Sequence, residues 1–148
     1  MALFSKIIVA TDGSNSSMRV AKVAGHLAQK EVDCTVYVLF VIDGLPIELS
    51  AMLEEADIQY ASNMTHTANE IINRTIKAMC LNERVTKVEK VQRSGYPANE
   101  IVQLAKEVDA NVIVMGNSNI SMVEEFLSRA GTSHKVLHNA PCNVIVVK

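Results

Sequence analysis

Short apolar runs alternate along the chain with longer stretches in which apolar residues recur every three or four positions. Runs of the first kind are typical of buried strands, and stretches of the second kind are typical of helices with one buried face. The runs are Lys6–Asp12 (KIIVATD), Cys34–Ile42 (CTVYVLFVI), Val112–Met115 (VIVM) and Cys142–Val147 (CNVIVV). A further strand, heavily charged, is predicted at Thr86–Arg93 (TKVEKVQR).

Helices are predicted between these strands. The first follows the serine-rich turn Gly13–Ser17, since serine is a favoured N-cap residue. Its buried face comprises residues at helical spacing, namely Val20, Val23, Ala24, Leu27 and Ala28. The others are predicted at roughly Asp57–Cys80, from Pro97 to Val108, at Ser121–Arg129, and in the stretch before Pro141.

The alternation of strands and helices predicts an α/β fold with a doubly wound, five-stranded parallel sheet. A strand as charged as Thr86–Arg93 belongs at a sheet edge, where Lys and Glu prevent unwanted pairing. Right-handed crossovers then give the strand order 3-2-1-4-5. Strands 1 and 4 diverge at their carboxyl ends, where open α/β sheets bind ligands. Asp12 and Gly116 fall at this point.

Composition excludes several classes of function. The 148 residues are expected to form one domain, residues 1–148, and the net charge of −2 and the absence of Trp argue against a nucleic-acid surface. No apolar run approaches the roughly 20 residues of a membrane span, and the amino terminus has no signal-peptide core. The three cysteines are widely separated. We therefore expect a cytoplasmic protein without a disulfide or metal framework and without nucleic-acid or membrane partners.

Two clusters of small residues follow strand 4. Gly116–Asn119 comes directly after the strand, and Ala130–Ser133 opens the last helix. Free backbone N–H groups and the positive end of the helix dipole make such positions natural anion sites. The stretch Asn111–Ser133 is therefore interpreted as a cradle for a phosphate or a nucleotide.

Four segments resemble the universal stress protein family, and together they cover essentially the whole chain. They are IIVATDGSNSS, VLFVID, SGYPANEIVQLAKEVDANVIVMG and KVLHNAPCNVIVVK. The combination of D-G-S after strand 1, G-x-P-x-x-x-I before strand 4 and A-P-C-x-V-x-V-V at the end is specific. The resemblance implies a small cytoplasmic α/β protein of the adenine-nucleotide alpha-hydrolase-like, Rossmann-like type. It also implies a homodimer through the last strand and, as in many members, an ATP site.

The nucleotide-binding motif of the ATP-binding members is altered here. Gly116 matches its first glycine, Asn119 stands where the second is expected, and eleven residues rather than nine precede Gly131-Thr132. By this resemblance the base and ribose contact Ala10, Asp12 and Val41. The whole implied site, for ATP with Mg²⁺, comprises Ala10, Asp12, Val41, Met115, Gly116, Asn119, Gly131, Thr132 and Ser133.

Several of these residues have a simpler interpretation. Asp12 is also typical of a turn residue that caps the Gly13–Ser17 segment, and Gly131–Ser133 of an ordinary helix start. Glu124 and Glu125 would repel a phosphate if they faced the cradle. His134 and His138 lie four positions apart, but no third ligand is evident, so no metal site is predicted.

No catalytic residues are predicted, because the sequence shows no Ser-His-Asp set, paired carboxylates or P-loop. ATP hydrolysis, if any, is expected to be slow. Two main hypotheses follow: a nucleotide-binding regulatory homodimer in the stress response, or an interaction dimer with a vestigial cradle and an unknown protein partner. A third, a weak phosphatase or ATPase, is disfavoured because no catalytic base is evident. The apolar edge strand Cys142–Val147 independently favours two-fold pairing, since an uncovered apolar edge promotes aggregation.

Overall fold

The computed structural model describes residues 3–43, 55–81, 87–117 and 132–148. Strands and helices alternate in these residues, with bounds within about two residues of those predicted from the sequence. The elements are β1 (Lys6–Ala10), α1 (Asn15–Gln29), β2 (Thr35–Asp43), α2 (Glu55–Ala78), β3 (Lys87–Gly95), α3 (Pro97–Val108), β4 (Val112–Gly116), α4 (Thr132–Asn139) and β5 (Asn143–Val147). The helix predicted at Ser121–Arg129 lies outside the described residues.

The strands form one parallel sheet in the order β3-β2-β1-β4-β5, which confirms the predicted topology. In the central register, Val9 of β1 pairs with Val38 of β2 and with Val114 of β4. The charged strand β3 is an edge strand, as predicted, and its Lys87 and Lys90 are exposed. The strand order reverses between β1 and β4, so the chain segments that leave these two neighbouring strands lead to different helices.

Both faces of the sheet are covered, which explains why the inner strands are continuously apolar. Val9 and Val114 belong to a core that includes the sheet-facing residues of α1 and α2. Ile8 and Ile113 belong to a second core, formed with α3 and α4. The three central residues of β1 are fully buried, because its neighbours and both helix layers cover them.

Helices α1 and α2 approach each other closely at Gly25. A Cβ atom built on Gly25 would lie 2.1 Å from the Met79 carbonyl oxygen, just after α2 ends. Real Cβ atoms do not approach a backbone oxygen so closely, so only glycine fits between the two helices here. Nothing in the apolar pattern of α1 had singled out this position.

The carboxyl edge of the sheet has a step. Ala10, the last residue of β1, pairs with Leu39, whereas β2 continues to Asp43, which pairs with Gly95 of β3. Strand β3 therefore extends two residues beyond the predicted end at Arg93, since Ser94 and Gly95 continue the ladder with β2. As a result, β2 and β3 extend beyond the end of β1 at this edge of the sheet. Val41 lies in the extended part of β2, which is called the wall below.

Among the described residues, no helix combines the length and the apolar character needed to cross a lipid bilayer.

Candidate functional site

Asp12 lies in the loop that joins β1 to α1. Its Oδ1 atom accepts hydrogen bonds from the Ser14 backbone N–H (2.9 Å) and from the Ser17 hydroxyl (2.6 Å). Ser14 is the N-cap of α1, and its hydroxyl accepts a hydrogen bond from the Ser17 N–H. The interpretation of Asp12 as a capping residue is thus confirmed. Oδ2 forms no hydrogen bond with the described residues, so this capping role leaves one carboxylate oxygen available.

The environment of Asp12 favours its ionised form. Partial burial opposes ionisation, but the hydrogen bonds from Ser14 and Ser17 outweigh it and hold the pKa of the Asp12 carboxyl below its ordinary value of 3.8. The resulting negative charge lies at the amino end of α1 and satisfies the helix dipole there. An external anion is therefore disfavoured at this helix end.

Three of the predicted site residues share the face of the sheet that α3 and α4 cover. Met115 is a buried member of the core on that face, and Ala10 and Val41 pack against the same core. Ala10 and Val41 are only half-buried. They therefore present small apolar surfaces at the carboxyl edge, one at the end of β1 and one on the wall formed by β2.

The amino end of helix α4, like that of α1, lies at the carboxyl edge of the sheet. It follows β4 and precedes the parallel strand β5, so its first residue, Thr132, lies near the carboxyl ends of the strands. Ser133 is 8% exposed and three positions before the fully buried Val136, which shows that Ser133 faces the sheet.

Gly116 is the last residue of β4. A Cβ atom at this position would meet Val20 Cγ2 at 3.6 Å and Ser16 Cβ at 3.9 Å, which are ordinary contacts. The packing of the described residues therefore does not require glycine here. Asn119 and Gly131, the other two positions of the altered motif, lie outside the described residues.

The fold thus brings most of the predicted residues to one edge of the sheet. Ala10, Asp12, Val41, Met115, Gly116, Thr132 and Ser133 all lie at the carboxyl ends of the strands or at the start of α4. Sequence reasoning placed Asp12 as the cap of the Gly13–Ser17 segment but did not identify Ser14 and Ser17 as the two hydrogen-bond donors. The signal was present, because an acidic residue two positions before a serine N-cap often accepts hydrogen bonds from the following turn.

His134 and His138 are both exposed on α4. Across the described ranges, no group of three or more His, Cys, Asp or Glu side chains is arranged to hold a metal ion.

Comparison with known proteins identifies the family. The model of the universal stress protein family matches residues 3–148. A universal stress protein of Methanocaldococcus jannaschii is 34% identical over 146 residues, which cover 99% of this chain and 83% of that protein. The chain therefore belongs to the universal stress protein family.

Solved structures share the fold over nearly the full length. The hypothetical protein MJ0577 is 25% identical with a TM-score of 0.76, covering 99% of this chain and 96% of its own. A universal stress protein in complex with cAMP gives 23% identity and a TM-score of 0.66, with 98% and 97% coverage. One from Archaeoglobus fulgidus in complex with dAMP gives 23% identity and a TM-score of 0.60, with 100% coverage of both chains.

Proposed function

We propose that this protein binds an adenine nucleotide, ATP with Mg²⁺, at the edge where β1 and β4 end, and that it acts as a regulatory homodimer in the stress response. The observation that carries the proposal is the ionised Asp12 carboxylate. It lies after β1 with one oxygen available, beside two half-buried apolar residues and at the same edge as the amino end of α4.

The described residues at this edge offer suitable contacts for the base and the ribose of an adenine nucleotide. Ala10 and Val41 offer apolar surface to a flat ring, and the step between β1 and β2 gives such a ring a wall to lie against. The available oxygen of Asp12 can accept hydrogen bonds from ribose hydroxyls. These contacts require only a nucleoside, so they do not depend on the number of phosphates.

The phosphates fit best at the start of α4. The amino end of α1 already receives the negative charge of Asp12, whereas the start of α4 carries the hydroxyl of Ser133, which is 8% exposed, at the positive end of a helix dipole. Mg²⁺ would be held mainly by phosphate oxygens and water, as is usual for this ion. No general base is assigned, so the proposal is one of binding rather than of catalysis.

Two relatives support an adenine nucleotide as the ligand class. Universal stress proteins have been solved with cAMP and with dAMP, and both match this chain over nearly its full length. Both ligands contain adenine, a pentose and one phosphate, the groups for which the edge of this sheet offers partners.

Calorimetric titration with ATP and Mg²⁺, repeated with ADP, AMP and cAMP, tests the proposal. We expect micromolar binding, with about tenfold weaker affinity in D12N, because a hydrogen bond to a charged acceptor is replaced by one to a neutral amide. As a matched control, D109N removes a carboxylate far from this edge and should bind like the wild type. Absence of heat for all four nucleotides, together with no thermal shift at millimolar ATP, would refute nucleotide binding.

The second candidate is an interaction dimer whose cradle no longer binds nucleotide. Asn119 in place of glycine and the eleven residues before Gly131 favour it, because both alter the backbone expected around the phosphates. Gly131→Val separates the two candidates. It should abolish nucleotide binding under the first and change only stability under the second.

The homodimer is proposed to form through β5. This edge strand exposes part of each of the apolar residues Val144, Ile145, Val146 and Val147, and pairing with a second copy would cover them. Light scattering at micromolar concentration should give twice the chain mass, and Val146→Lys should reduce it to one. A wild-type monomer would refute the dimer without affecting the binding proposal.

A further inference from the structure

A buried pair of hydroxyl groups joins α2 to the loop that carries Asp12. Thr75 of α2 is completely buried and Thr11, directly before Asp12, is 7% exposed. Their Oγ1 atoms are 2.9 Å apart, although the two residues are separated by 64 positions in the sequence. This is a hydrogen bond inside the protein core between a helix and a loop of the proposed site.

The direction of the hydrogen bonds follows from the number of protons. Thr75 donates its single hydroxyl proton to the Ile71 carbonyl oxygen at 2.8 Å. The bond between the two threonines must therefore be donated by Thr11, since each hydroxyl has one proton. Thr11 Oγ1 in turn accepts the Gly13 N–H at 3.3 Å. The result is a directed chain from the Gly13 backbone through both hydroxyls to the backbone of α2.

A second contact with α2 lies on the other side of Asp12. Gly13 has a φ of +80°, a conformation that favours glycine. A Cβ atom at Gly13 would lie 3.0 Å from both Cδ1 and Cγ1 of Ile71, so the loop packs directly on that side chain. Asp12 is thus held between two residues, Thr11 and Gly13, that both contact α2.

We propose that Thr75 is a positioning residue for the proposed nucleotide site: through Thr11 and Gly13 it fixes the backbone that aims the Asp12 carboxylate. This inference rests on the proposed function for its role in binding, and on geometry alone for its role in orienting Asp12. A valine would occupy nearly the same volume as Thr75. The hydroxyl therefore contributes the direction of a hydrogen bond rather than buried area.

The test compares Thr75→Val, which keeps the shape and removes the hydroxyl, with Thr75→Ser, which keeps the hydroxyl. The first readout is the pKa of the Asp12 carboxyl, followed by carbon NMR in the ligand-free protein. Thr75→Val should raise this pKa toward 3.8, because a displaced loop weakens the hydrogen bonds from Ser14 and Ser17. Thr75→Ser should restore the wild-type value.

The second readout is the affinity for ATP with Mg²⁺. We expect Thr75→Val to weaken it about five- to tenfold and Thr75→Ser to recover it. Ile72→Val, a neighbouring core substitution in α2, controls for lost stability and should change neither readout. A Thr75→Val protein that is less stable but keeps the wild-type Asp12 pKa would overturn the inference. If the wild type binds no nucleotide, the proposed function fails, and the NMR readout still decides whether Thr75 orients Asp12.

Discussion

The Asp12 carboxylate accepts its hydrogen bonds in the ionised form, so its contribution to stability depends on pH. Its pKa in the folded protein lies below the ordinary value of 3.8. The contribution is therefore fully present above the pKa of the unfolded state and is lost as the pH falls through the folded-state value.

We expect D12N to lower the free energy of unfolding by about 1 kcal/mol at pH 7, because the amide accepts weaker hydrogen bonds from Ser14 and Ser17. The difference from the wild type should shrink below pH 3.8, as the pH falls through the lowered folded-state pKa of Asp12. Urea unfolding of both proteins at several pH values measures it. A difference that stays constant with pH would contradict the assigned charge state.

At the scale of single residues, the sequence could predict which residues lie at the carboxyl edge of the sheet but not which contacts hold them there. Asp12 lies just after β1 and Gly116 is the last residue of β4, so topology alone predicted their edge of the sheet. Ala10 and Val41 came from family resemblance, because a partly exposed apolar residue leaves no distinct pattern. The hydrogen bond between Thr11 and Thr75 could not be predicted, since it depends on how α2 packs against the loop.

Among the helices, α1 and α2 are packed with their backbones almost in contact. We predict that Gly25→Ala lowers the free energy of unfolding by about 2 kcal/mol, because the added methyl group collides with the Met79 carbonyl. The sign of this change in the free energy of unfolding is informative, since alanine otherwise stabilises a helix by about 1 kcal/mol relative to glycine.

The matched control is Gly116→Ala, where the methyl group meets only ordinary contacts and stability should change by less than about 0.5 kcal/mol. Chemical denaturation of the two variants and the wild type gives both values. Equal stability of Gly25→Ala and the wild type would mean that the helices can separate at little cost.

Helix and strand positions were predictable because burial repeats with the period of each element. In β1 the run Ile7, Ile8 and Val9 is buried on both faces, and in α3 Ile101, Leu104 and Ala105 recur at helical spacing. Element ends were less predictable. Ser94 and Gly95 have the composition of a turn, yet pairing with β2 keeps them in the strand. The end of β3 is set by pairing with the neighbouring strand, and the local sequence holds no information about that pairing.

At the scale of the whole molecule, the three cysteines differ in solvent exposure, so their reactivity measures how far different parts of the structure open to solvent. Cys80 is exposed, Cys142 is partly buried and Cys34 is fully buried. Burial, assisted by the charge of Glu31, raises the pKa of the Cys34 thiol to about 11. Burial also raises the pKa of Cys142.

We expect a thiol reagent such as dithionitrobenzoate at pH 8 to modify one cysteine quickly, a second more slowly and the third only as fast as the protein unfolds. Cys80→Ser should remove the fast phase. In denaturant all three should react together. Rapid modification of Cys34 in the native protein would show that the core around β1 and β2 opens locally.

The two margins of the sheet are chemically unlike. β3 ends the sheet with exposed lysines and an ion pair between Lys87 and Glu89 (3.3 Å), whereas β5 ends it with partly exposed valines and an isoleucine. Strand addition is thus discouraged on one side and favoured on the other. A chain that has joined a second copy through β5 offers only charged margins to a third. Lateral growth through the sheet would therefore stop at the pair and would not continue to fibres.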